Sequence, residues 1–126
     1  MIGGMSTVRQ LAILRIVIGV SSWVMPRVAG KLFGLDTVGN PQAPYLARLF
    51  GIRVVALGIG ALQSTGAAQK QWLQLGVMCD AADAMAGVAG KRDGSLGTRT
   101  SLLVTSVAVV AAAQGAAALQ SVEASQ

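Results

Sequence analysis

The chain has 126 residues, of which 53% are hydrophobic and 12% charged, with a formal net charge of +5 and a mean hydropathy of +0.61. That length allows a single domain, and that balance lies on the apolar side of ordinary soluble composition. There is no histidine and one cysteine, Cys79, which excludes from this chain alone histidine-ligated haem, His-bearing zinc or di-iron sites, Ser-His-Asp catalysis, an internal disulfide and a cysteine-held iron–sulfur cluster.

The first apolar run, Thr7 to Met25, comes close to the ~20 residues that a bilayer-crossing helix requires. Arg9 precedes it, as in a secretory signal, but Arg15 interrupts the run and no small-residue cleavage site follows cleanly, so it is expected to stay as a helix. Pro26 closes it. Between Arg27 and Pro44 the residues Gly30, Gly34, Gly39, Asn40, Pro41 and Pro44 supply loop chemistry. Within that stretch Val28, Leu32, Phe33 and Leu35 are able to support a short interfacial helix, with Arg27 and Lys31 in water. The second run, Tyr45 to Ser64, ends at Ser64-Thr65-Gly66. The third, Gln71 to Gly90, ends at Lys91-Arg92-Asp93-Gly94-Ser95. The fourth, Thr100 to Gln120, is rich in alanine. Taken together these runs predict an all-α fold, an antiparallel four-helix transmembrane bundle with helices at about 7–25, 45–64, 71–90 and 100–120, in one integral membrane domain over 1–126.

Lysine and arginine are unevenly placed along that frame. The first and third loops carry Arg27, Lys31, Lys91, Arg92 and Arg99, with Arg48 close by, whereas the N-terminus, second loop and C-terminus carry Arg9 and Lys70. Loops rich in lysine and arginine stay in the cytoplasm, which puts both termini on the other side. Trp23, Tyr45 and Trp72 fall near helix ends, as an interfacial aromatic belt requires. The basic residues are dispersed and lack interleaved aromatics, so a nucleic-acid partner is excluded.

Charges inside the apolar runs mark the candidate site: Arg15, Arg53, Asp80 and Asp83. A charge near the centre of a bilayer costs several kcal/mol or more, so such residues face a bundle interior, pair, or line a functional cavity. At ~1.5 Å rise per residue, Arg15 lies roughly 15 Å from Met25 and Asp80 roughly 15 Å from Gly90, at one level. By the same measure Arg53 lies about 12 Å from Tyr45 and Asp83 about 10 Å from Gly90, a second shared level. Asp80 and Asp83 are three positions apart and so share a helix face. Arg48, only about 4 to 5 Å in, is expected to snorkel to the interface as a secondary residue. Two readings stand for the four charges: an ion-pair network that fixes helix register, or a polar pocket or proton pathway in which an aspartate changes protonation.

Gly51, Gly58 and Gly60, then Gly76, Gly87 and Gly90, and the stretch Ala111 to Ala118 read as small-residue seams for close helix contact, and the last also suits docking to a partner or a second copy. None has the spacing of a phosphate loop or a dinucleotide fingerprint. Cys79, beside Asp80 in an apolar run, reads as small-residue packing.

Trp23-Val-Met-Pro-Arg, Lys31-Leu-Phe-Gly-Leu35, Arg48-Leu-Phe-Gly-Ile-Arg53 leading into Ala56-Leu-Gly58, and Asp80-Ala-Ala-Asp83 together resemble a family of small bacterial four-helix membrane proteins of unknown function, loosely DoxX-like. The resemblance covers about residues 10 to 115. It implies a bacterial inner (plasma) membrane location and marker residues at Arg48, Arg53, Asp80 and Asp83. Proteins of the DoxX kind are associated with membrane redox processes.

The leading expectation for function is a non-catalytic accessory or scaffold component of a larger membrane assembly, since short loops leave little room for an independent active site. The alternatives are a small proton-coupled carrier or channel that uses the Asp/Arg pairs, and a redox-accessory protein of the DoxX kind that holds a small lipophilic, quinone-like ligand between helices. The expected partners are the lipid bilayer and either a larger membrane protein or further copies of the chain. No catalytic residue, metal ligand or cofactor is expected.

Overall fold

Residues 6–124 are described in a computed structural model, and they form helices joined by turns and loops, with no strand among them. The elements are α1 (Thr7–Val24), α2 (Pro26–Leu32), α3 (Ala43–Gln63), α4 (Gly66–Asp93) and α5 (Thr98–Ala124). The described residues are therefore all-α, but they form five helices where the sequence predicts four. The additional one, α2, occupies the segment read as loop chemistry with the makings of a short helix.

Local chemistry accounts for the boundaries. The Ser6 hydroxyl accepts from the Arg9 N–H at 3.1 Å and so caps α1. Pro26 ends α1 but also opens α2, because a proline in the first turn gives up an N–H that has no helical partner. Gly34, in the left-handed region, ends α2, and the Leu35 N–H returns to the Gly30 carbonyl at 3.0 Å. Asp36 Oδ1 then accepts from the N–H groups of Val38 and Gly39, which folds the following loop on itself. Two expected breaks lie inside helices. Pro44 sits in the first turn of α3, where it is tolerated, and Lys91, Arg92 and Asp93 extend α4 to a left-handed Gly94. Basic residues favour a helix C-terminus, which is why that charged run prolongs the helix.

Neighbouring long helices run antiparallel. Across α1 and α3, Gly19 meets Gly51 and Ala12 meets Gly58; across α4 and α5, Gly87 meets Thr105 and Val77 meets Gly115. These are the two tight pairs, while α3 with α4 and α1 with α5 pack more loosely, and α2 lies on α1 and α3. At Gly19 a Cβ would fall 2.5 Å from the Gly51 carbonyl oxygen, so this approach requires glycine. On α5 the buried Ser101, Ala108, Gly115 and Val122 recur every seven residues, the repeat of a left-handed helix seam.

The interior is filled at one end only. Val8 and Leu11 of α1, Ala61 of α3, Leu73 of α4, and Ala118 and Val122 of α5 form a closed apolar core beside the 64–66 turn. The outer faces are apolar too: Val17, Val20 and Val24, Ile52, and Val109 and Val110 are exposed. Among the described residues, α1, α3 and α5 are long and apolar enough to cross a membrane, consistent with an integral membrane protein. Three of the four runs expected from the sequence meet that description. α4 has the length, at 28 residues, but Lys70, Asp80, Asp83, Lys91, Arg92 and Asp93 lower its apolar character.

Candidate functional site

The inward face of α1 is set by Val8, Leu11, Ala12, Arg15, Gly19 and Ser22, and that of α4 by Leu73, Gly76, Asp80, Gly87 and Gly90. These spacings of three, four and seven place Arg15 and Asp80 in register with the cores of their helices. α1 and α4 occupy opposite corners of the bundle, so the guanidinium crosses its centre. Arg15 Nη2 donates to Asp80 Oδ2 at 2.7 Å, with side-chain exposures of 9% and 11%. Gly76 leaves room for it, since a Cβ there would lie 3.1 Å from Arg15 Nη2.

Arg53 Nη2 donates to Asp83 Oδ2, also at 2.7 Å, but these side chains are 43% and 34% exposed. The four charges thus form one buried pair and one half-exposed pair, not a single buried cluster. The reason lies on α3, whose inward face runs through Gly51, Val54, Leu57, Gly58 and Ala61. Arg53 is one residue, about 100° of helix, from Val54. Its guanidinium lies 5.6 Å from the centre of the Phe50 ring and reaches across to α4. Arg48 also has partners: its Nε donates to the Trp23 carbonyl at 3.1 Å, and its guanidinium lies 6.0 Å from the Trp23 ring centre.

Beyond the Arg15–Asp80 pair, on the α2 side, the interior opens into a cavity of about 760 Å³. Arg15, Asp80 and Asp83 line its inner part. Phe33, Leu46, Phe50, Val54 and Val104 form apolar walls, and Asp36, Asn40, Ser95 and Thr100 lie towards the loops. The loop after α2 is tied to α5 by Thr100 Oγ1, which donates to the Gly34 carbonyl at 2.7 Å. On the filled side of the pair, by contrast, the void beside Leu11, Arg15 and Leu73 measures about 10 Å³, no more than one water.

The residue pairs found are those that equal helix depth matches in sequence. The cavity walls went unread there: Phe33, Phe50 and Val104 look like ordinary core residues, and the small Ala43, Ala47, Ala108 and Ala111 carry the same signal as a tight seam. Comparison with protein-family models, with curated proteins and with solved structures finds no match.

Proposed function

We propose that this chain is an integral membrane protein in which all four long helices cross the bilayer as an antiparallel bundle and the hollow end holds a small lipophilic molecule. The observation that carries the reading is the cavity. Its 760 Å³ falls within the roughly 300–1,000 Å³ usual for small-molecule sites, and its apolar walls converge on a few polar groups, as such sites do. In this reading α4 crosses with its neighbours because Arg15 and Arg53 neutralise its two inner carboxylates. Basic residues gather at the hollow end, Arg27 and Lys31 on α2, Lys91 and Arg92 on α4, and Arg99 on α5. This supports placing that end on the cytoplasmic side of a bacterial inner membrane, with the chain termini opposite. The likeness to small DoxX-like proteins belongs to the same proposal, with Arg48, Arg53, Asp80 and Asp83 as its markers.

A purely accessory role leaves the hollow end without a purpose, and the outward apolar faces serve lipid as well as they serve a protein partner. For a carrier or channel, the apolar plug of Val8, Leu11, Leu73 and Ala118 lies across the route. The test is purification in mild detergent followed by mass spectrometry of everything retained. The proposal expects a small lipophile at up to one per chain; a stoichiometric larger protein with no small molecule would overturn it in favour of the accessory role.

A further inference from the structure

The charges around the cavity constrain what it takes, and this step rests on the ligand-site reading above. Four formally charged residues line the space: Arg15, Asp36, Asp80 and Asp83. Each is already compensated. Asp80 is paired with Arg15 and Asp83 with Arg53, and Asp36 Oδ1 accepts two backbone N–H bonds in its own loop. An ionic ligand would either displace one of these partners or add an uncompensated charge to a largely apolar space, and both are costly.

Hydrogen-bonding capacity remains at the inner end after the ion pairs are made. A guanidinium has five N–H donors, and Asp80 Oδ2 accepts from Nη2. Ser22, which also lines the cavity, directs its hydroxyl to the Ile18 carbonyl at 2.9 Å. Arg15, buried and in contact with the cavity, therefore keeps donors that Asp80 does not use. The other oxygens of Asp80 and Asp83 and the amide of Gln114 also face the space, and against the guanidinium a ligand fits with a neutral acceptor that needs no proton and displaces no partner.

We propose that the cavity binds an uncharged lipophile with one strong hydrogen-bond acceptor, such as a carbonyl oxygen, at one end. That oxygen sits against Arg15, and the apolar remainder runs between Phe50 and Val104 towards Phe33. A carboxylate in the same place would compete with Asp80 for Arg15, and an ammonium would compete with Arg15 for Asp80 or with Arg53 for Asp83.

The test uses the full chain in nanodiscs, titrated with four probes that share a twelve-carbon chain: a methyl ketone, an alkane, a carboxylate and an ammonium, each corrected for uptake by empty nanodiscs. The ketone is expected to bind about tenfold more tightly than the alkane, the scale of one hydrogen bond to a charged donor, and more tightly than either ion. In wild-type protein a ¹³C label at the ketone carbonyl is expected to shift on binding as a hydrogen-bonded carbonyl does. Replacing the pair together, Arg15→Met with Asp80→Leu, removes both charges at once. That variant is expected to erase the ketone's advantage and keep alkane binding. Equal or tighter binding of the carboxylate or the ammonium, or a carbonyl signal unchanged from lipid, would overturn the uncharged-acceptor assignment while leaving a ligand site in place. Absence of binding by all four probes above empty nanodiscs would overturn the ligand-site reading itself.

Discussion

The same four long helices build a filled end and a hollow end, and the Arg15–Asp80 pair lies at the border between them. Towards the 64–66 turn, Leu11 and Leu73 meet Val8, Val122 and a fully buried Ala118. Towards α2, Ala43, Ala47, Ala108 and Ala111 line the interior, and the space between them stays open. An unfilled interior forfeits dispersion contacts along its walls, so a hollow of this size is kept at the expense of stability. The difference teaches that small residues serve two ends in this chain. Where helices close on one another, as at Gly19 and Gly51, they remove space; where α2 and its loop stand over the bundle end, they leave it.

The sharpest way to break the contrast is to unbalance its border. Asp80→Leu alone strands the buried Arg15 and is expected to destabilise the fold by about 3–5 kcal/mol, whereas the combined Arg15→Met and Asp80→Leu variant recovers most of that loss. Reversible unfolding in mixed micelles measures both.

Next in size is a pair of substitutions, one for each end. Leu73→Ala in the filled end is expected to lose about 2–5 kcal/mol. Ala111→Leu in the hollow end enlarges a side chain that faces the cavity and is expected to stay within about 0.5 kcal/mol of wild type. Similar losses from the two would mean that both ends are packed alike.

The second ion pair refines the comparison further. Arg53→Gln is expected to cost less than Asp80→Leu, because its pair with Asp83 is the more exposed of the two. A loss as large as that of Asp80→Leu would mean that the second pair is as fully desolvated as the first. The smallest effect is expected from Thr100→Val, which removes the bond to the Gly34 carbonyl and costs about 0.5–1.5 kcal/mol. Its signature is faster amide exchange confined to the loop between α2 and α3.

Much of the site was legible in the sequence because buried charge is rare and expensive. Arg15 and Asp80 stand out in their apolar runs, and helix rise alone puts them at one level. Burial of the second pair was not legible, since depth along a helix says nothing of rotation about it, and Arg53 turns out to lie beside the inward face marked by Val54. The short helix α2 was half visible: Val28, Leu32 and Phe33 fit a short helix, while Gly30 and Gly34 read as loop. Gly34 is in fact its left-handed terminator. The cavity could not be read at all, because alanine facing a neighbour and alanine facing a void are the same letter.

The most direct test of the central claim, that the hollow end is a site and the filled end is scaffold, is native mass spectrometry of wild type beside Ala111→Phe and Ala118→Phe. A small molecule retained by wild type, lost in Ala111→Phe at unchanged melting temperature, and kept by whatever fraction of Ala118→Phe remains folded is the predicted result. Retention undiminished by Ala111→Phe, or a wild-type protein that carries no small molecule, would contradict it.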